Sequence, residues 1–235
     1  MSDKQTICYP WLQGCADELD AMRARRQLPH AVLLHGPAGT GRRHLALWLG
    51  ARALGAPDPD AGLAADPEAG VALTEQLLHP DLMLAQPPAD KQTLPIDTVR
   101  QLIEFLQLTA HQGHGKVAIL APAEAMSHGA ANSLLKTLEE PPAGSLIVLV
   151  ATAPGRLPAT VVSRCHRIRI GLPDQRLAAT WLKEAHGDAD WPRALELGGG
   201  APLTAARLHA AGFGAEAERL EAEFMALGKA EADPV

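Results

Sequence analysis

The chain has 235 residues with 47% hydrophobic and 20% charged side chains, so it can bury a core and is not a disordered polymer. Its formal net charge of -6 argues against a free-standing nucleic-acid binder, which usually carries a basic surplus. Three cysteines, Cys8, Cys15 and Cys165, with no Cys-x-x-Cys pair argue against a disulfide framework or a four-cysteine zinc site and fit a reducing compartment.

At roughly 100–200 residues per domain, the length predicts one large domain, alone or with a small companion. No apolar run approaches the ~18 residues of a membrane helix, and the first residues do not read as a signal peptide. The expectation is a cytoplasmic protein without a membrane partner.

In chain order, strand and helix signals alternate. Ala31-Val32-Leu33-Leu34 is a short apolar run before a glycine-rich turn and predicts a strand buried on both faces. Leu45, Leu49 and Ala53 then recur at helical spacing. The stretch from Gly55 to Val71 is rich in Ala, Asp, Pro and Gly and predicts a surface excursion. Further buried strands are expected at Leu82-Met83-Leu84, Val117–Leu120 and Leu146–Val150, and a half-exposed edge strand at His166–Ile170.

Val99, Leu102, Ile103 and Leu106 form one helical stripe, and Thr98 with Gln101 reads as a capping box at its start. Ala130, Leu134, Leu135 and Leu138 form a second, closed by Pro141-Pro142. After Pro173 the strand signals stop, and three short helices are expected around Leu177, Trp181 and Leu182, then Ala194, Leu195 and Leu197, then Leu203, Ala206 and Leu208. The alternation predicts an α/β fold: a five-stranded parallel sheet sandwiched by helices, followed by a small three-helix domain.

His35-Gly36-Pro37-Ala38-Gly39-Thr40-Gly41-Arg42-Arg43 stands where a phosphate-cradling P-loop belongs, between a buried strand and a helix. Gly36, Gly39 and Gly41 leave the backbone free to turn N–H groups onto phosphate oxygens. The lysine position holds Arg42, however, and the magnesium-ligating hydroxyl position holds Arg43. Ala121 stands where a strand-end carboxylate would help hold the metal, with Glu124 three residues on. The loop is thus degenerate, and its cofactor-binding role is expected to be vestigial. A competing reading is a P-loop ATPase that uses Arg42 unconventionally. No two histidines are spaced as metal ligands, so no metal site is expected.

Asn132-Ser133-Leu134-Leu135-Lys136-Thr137-Leu138-Glu139-Glu140-Pro141-Pro142, followed by Ser163-Arg164-Cys165, resembles the signature helix and SRC motif of the AAA+ clamp-loader family of bacterial DNA polymerase III. Tyr9-Pro10-Trp11, His30–Leu34, His79-Pro80-Asp81 and Asp97–Arg100 extend the similarity over roughly residues 9–211 and direct it to the family's stator branch.

The resemblance implies an AAA+ sheet domain at 1–171, a three-helix lid at 172–212, and from 213 to 235 the start of a helical collar around Leu220, Phe224 and Leu227. The chain ends at Val235, short of a whole collar, and is expected to be a piece of a longer protein. The resemblance also implies a subunit with no hydrolysis of its own, within an assembly that carries DNA-directed DNA polymerase activity. Arg164 would act as an arginine finger on ATP held by a neighbouring subunit, with Ser163 and Cys165 completing the motif. Partners would be the gamma/tau motor subunits, the delta subunit, primer–template DNA and, indirectly, the sliding clamp. Arg100 and Lys136 are the candidate DNA-facing residues. Motor subunits place an arginine after the Gly-Gly turn of the lid, whereas Gly199-Gly200-Ala201-Pro202-Leu203 has none. Zinc is not expected, because Gly55–Leu78 lacks the cysteines of the family's zinc module. A nucleic-acid-binding module from another AAA+ branch is a third reading.

Overall fold

The computed structural model describes residues 9–55, 79–88, 91–111, 113–214 and 219. The expected surface excursion and the collar helix lie outside these residues, apart from Gly55 and single positions at the edge of the collar segment. Two compact units divide at Gly171 and Leu172.

The first unit holds five strands: β1 (Ala31–His35), β2 (Leu82–Ala85), β3 (Lys116–Leu120), β4 (Ser145–Ala151) and β5 (His166–Arg169). Their order is β2-β3-β4-β1-β5, and every neighbouring pair is parallel. The apolar runs became strands because parallel strands covered on both faces have no polar side to show. β4 is buried along its whole length. β5 buries only Ile168, because it is an edge strand, and its exposed His166, Arg167 and Arg169 discourage pairing with another chain.

Helices α1 (Gln13–Ala24), α2 (Arg42–Ala53), α3 (Ile96–Gln107), α4 (His128–Glu139) and the single turn α5 (Ala159–Val162) cover the sheet. Val99, Leu102 and Leu106 of α3 and Ala130, Leu134 and Leu138 of α4 pack with Leu33, Leu120 and Leu149 in one core cluster. Ser127 caps α4, its hydroxyl accepting from the Ala130 N–H. The capping box at Thr98 does not form. Helix α3 begins two residues earlier, at Ile96 after Pro95, and no side chain caps it. Proline fixes the extended entry, so the turn starts before the hydroxyl is reached.

The second unit contains α6 (Gln175–His186), α7 (Trp191–Leu197) and α8 (Pro202–Ala210). Asp174 caps α6 and Asp190 caps α7. Ala178, Leu182, Trp191, Ala194, Leu195 and Ala205 make its core. Leu177 and Leu197 are exposed instead. Ala178 faces inward because it lies one turn before Leu182 on the face that packs in this core.

Candidate functional site

The glycine-rich loop connects β1 to α2, and Gly41, in the left-handed region at φ 83°, is the N-cap of α2. Two observations explain the glycines by the fold itself. A Cβ on Gly36 would lie 1.9 Å from the Ile170 carbonyl oxygen, and one on Gly41 would lie 2.7 Å from the Tyr9 ring. Thr40 is fully buried and its hydroxyl donates to the Pro37 carbonyl at 2.8 Å. Trp11 straps the loop from outside, its Nε1–H donating to the Thr40 carbonyl at 2.9 Å. The Trp11 and Tyr9 rings stack at 5.2 Å, and Tyr9 also meets the His44 ring at 4.5 Å.

The substituted positions are built into the protein. Arg42 is buried in the first turn of α2. Arg43 Nη2 donates to Gln86 Oε1 at 2.7 Å, just beyond β2. Ala121 is buried, its N–H on the Ala85 carbonyl. Glu124 Oε1 accepts from the Thr152 N–H at 2.8 Å and from its hydroxyl at 2.6 Å, which ties the turn after β3 to the end of β4. Burial, then the nearby Arg167 and Arg169, lower the pKa of His35 at the loop's entrance.

The Ser-Arg-Cys motif lies at the other end of the sheet. β1 pairs with β5 from Val32↔His166 to His35↔Arg169. Arg164 therefore precedes the amino-terminal end of β5, whereas Gly36 follows the carboxyl-terminal end of β1. The paired stretch alone is about 10 Å at ~3.3 Å per residue. Arg164 Nη1 donates to the Thr160 carbonyl at 2.8 Å, and Nη2 donates to Glu139 Oε1 at the end of α4. Ser163 closes α5, its hydroxyl on the Thr160 carbonyl at 3.1 Å. Cys165 Sγ donates to the Val161 carbonyl at 3.3 Å, and burial pushes its thiol pKa up to about 11. Such a thiol packs rather than reacts.

Arg100 and Lys136 are both exposed, on the adjacent helices α3 and α4. Arg100 reaches Asp97 at 3.5 Å. In the second unit, Ala201, Pro202 and Leu203 are buried. Among the described residues, no three His, Cys, Asp or Glu side chains are grouped to hold a metal, and no helix is long and apolar enough to cross a membrane. Two relationships go beyond the sequence expectations: the Glu139–Arg164 pair and the aromatic strap over the loop. The residues of both stand inside recognisable motifs, but only the fold brings Glu139 to Arg164 or Trp11 to Thr40.

The comparisons with known proteins agree with this architecture. Residues 13–173 match the family model described as DNA polymerase III, delta subunit. A DNA polymerase III subunit delta' from Pseudomonas aeruginosa is 40% identical over 208 residues, which cover 87% of this chain and 62% of that protein. The Escherichia coli subunit delta' is 36% identical over 174 residues, covering 74% and 52%. The chain thus spans about half to six-tenths of the length of these relatives. Among solved structures, a DNA polymerase III gamma subunit-related protein of Thermotoga maritima superposes with a TM-score of 0.56 at 24% identity, covering 82% of this chain and 58% of that one. The RuvB branch migration motor of the same organism gives 0.52 at 17% identity, covering 84% and 59%. These two likenesses establish the AAA+ type of fold. The family match, together with the delta' relatives, shows that the chain belongs to the DNA polymerase III delta-subunit family, as a member of its delta-prime branch.

Proposed function

We propose that this chain is a stator subunit of a replicative clamp loader. It would hold no hydrolytic site of its own and would present Arg164 to ATP bound by a neighbouring gamma/tau-type motor subunit, with a delta-type subunit completing the ring. The observation that carries the reading is the separation of Arg164 from the chain's own glycine-rich loop, by the length of the sheet. A guanidinium at the far end cannot reach a γ-phosphate in its own loop, but it is suited to one across a subunit boundary. There its fixed positive charge would meet negative charge that develops on the transferring phosphoryl group. Arginine fits this task because its planar fork stays ionised and binds two oxygens at once.

The reading that this chain hydrolyses ATP itself is less well supported. Arg43 cannot ligate magnesium and Ala121 supplies no carboxylate, so Arg42 would have to act without the metal. Cofactors are accordingly neither required nor expected in this chain. Arg100 and Lys136 fit a role as phosphate-facing cations toward primer–template DNA. Neutralising both should reduce the salt dependence of DNA binding by the assembly, by about 0.9 in slope for each phosphate no longer neutralised. The sliding clamp would be reached through the assembled loader.

The test is reconstitution of the full-length protein with motor and delta subunits. Arg164→Ala is expected to lower ATP turnover at the adjoining site by about 10³-fold or more, the range of such fingers, and to slow clamp loading. Arg164→Lys should rescue only in part. Normal turnover and loading by the alanine variant would overturn the proposal.

A further inference from the structure

The Leu-Glu-Glu-Pro-Pro segment contains a residue to which the proposed function gives no role. Glu139 is the last residue of α4, and its carboxylate binds the guanidinium of Arg164 from 25 positions away in the chain. Its position is poor for the helix. The carboxyl end of a helix carries partial negative charge, and a carboxylate there opposes it. Glu140 adds a second carboxylate as the C-cap residue. The pair is half-exposed, with side chains 34% and 50% accessible, and ion pairs in that setting contribute little to stability. Neither helix formation nor fold stability accounts for Glu139.

Orientation does. Arg164 has four rotatable side-chain bonds and lies on an exposed turn, so it would otherwise sample many rotamers. Two groups from different elements hold its fork: the Thr160 carbonyl of α5 on Nη1 and the Glu139 carboxylate of α4 on Nη2. A longer contact of 3.5 Å joins Nη1 to the Ser163 hydroxyl. Of the five guanidinium N–H groups, Nε–H and one on Nη2 take no part in these bonds. The fork is therefore held while donors remain for an external oxygen. The backbone that carries Glu139 is held in place, because Leu134 and Leu138 anchor α4 in the core and Pro141-Pro142 ends it.

We infer that Glu139 is a positioning residue for Arg164, holding the guanidinium in the orientation in which it meets an anionic phosphoryl group of a neighbouring subunit. This rests on the finger reading of Arg164. A preoriented donor does not reorganise as the transition state forms, and that is the source of its advantage.

The experiment is a double-mutant cycle in the full-length protein, reconstituted with motor and delta subunits and assayed for DNA-stimulated ATP turnover over a range of ATP concentrations. Glu139→Ala is expected to lower kcat at the adjoining site about tenfold with KM little changed, since it affects orientation and not nucleotide binding. Glu139→Gln keeps an acceptor oxygen and should recover part of the loss. In an Arg164→Ala background, Glu139→Ala should have no further effect on kcat. A role confined to the end of α4 would instead give the same loss with or without Arg164, and would overturn the inference. So would unchanged or raised turnover in Glu139→Ala when Arg164→Ala is defective, a result that leaves the finger reading standing. Silence of Arg164→Ala itself would overturn both.

Discussion

Asp81 and Lys116 form an ion pair inside the protein, with Nζ 2.9 Å from Oδ1 and side chains 0% and 4% exposed. Asp81 precedes β2 and Lys116 opens β3, so the pair fastens the starts of two adjacent strands. The same Oδ1 accepts from the His111 N–H at 2.9 Å, and the Lys116 ammonium lies 4.3 Å from the Phe105 ring centroid. His79 Nδ1 accepts from the Asp81 N–H at 3.1 Å. The His-Pro-Asp motif is thus a structural clasp in which the histidine shapes the turn and the aspartate neutralises a buried cation.

Removing one partner from such a pair leaves a buried charge uncompensated. Asp81→Leu or Lys116→Met is expected to cost about 3–5 kcal/mol. The double substitution Asp81→Leu with Lys116→Met should cost much less than the sum, because no buried charge remains. Urea unfolding of the four proteins measures both quantities. Additive losses would show that the two charges are solvated separately.

Gly36→Ala is expected to destabilise the sheet domain, chiefly through steric overlap. The new Cβ would sit 1.9 Å from the Ile170 carbonyl oxygen, a backbone atom that cannot rotate away. The backbone must shift at the junction of β1 and β5, at the upper end of the roughly 1–3 kcal/mol that overpacking costs. Gly14→Ala, with nothing within 4 Å of the added carbon, is the control and should be neutral or slightly stabilising, since it adds helix propensity to α1. Thermal unfolding of the two variants compares them directly.

The strands were legible because each leaves a mark within five or so residues: an unbroken apolar run for β1, β3 and β4, and alternation for β5. Helix phase was less so. Leu177 carries more apolar surface than Ala178, yet Ala178 is buried, because it shares a helix face with Leu182, four residues on, and that face packs on α7 and α8. The Gly36–Gly41 pattern was visible, but its reason was not, since Ile170 and Tyr9 come against these glycines only in the folded chain. The same holds for the site. Ser163-Arg164-Cys165 could be found from local spacing. Its distance from the glycine-rich loop follows from β5 lying beside β1, and its pairing with Glu139 from α4 ending beside α5.

Cys165 should alkylate slowly at neutral pH. With its pKa pushed up to about 11 by burial, only about 10⁻³ of the thiol is ionised at pH 8, against roughly a quarter for an ordinary cysteine. Its iodoacetamide rate should rise about tenfold per pH unit and approach a plateau only near pH 11. Mass-spectrometric mapping against the unfolded chain measures this. The linked stability has a definite sign. The unfolded thiol ionises first as pH rises past about 8.5, so the unfolded state binds fewer protons there. Cys165 therefore contributes stability that is lost between that pH and about 11. Cys165→Ala should flatten that part of the stability profile.

Restoring the sequence pattern of the glycine-rich loop should not restore hydrolysis. The double variant Arg42→Lys with Arg43→Thr returns the phosphate-binding cation and the magnesium-ligating hydroxyl. It leaves Ala121 at the end of β3, where no carboxylate is available to hold the metal. Glu124, three residues on, is held through Oε1 by the amide and the hydroxyl of Thr152, and its Oε2 is buried without a hydrogen-bond partner. The substitutions also carry structural costs. Arg42 is buried and Arg43 is bonded to Gln86, so the new side chains give up packing and a hydrogen bond before any nucleotide arrives. The expected result is measurable magnesium–ATP binding by calorimetry at most, with phosphate release no faster than in the unmodified chain. Adding Ala121→Asp supplies the missing ligand and is the variant in which turnover above background is expected to emerge. Turnover in the double variant alone would show that the metal finds another ligand in this chain, and would weaken the assignment of the chain as a non-hydrolysing subunit.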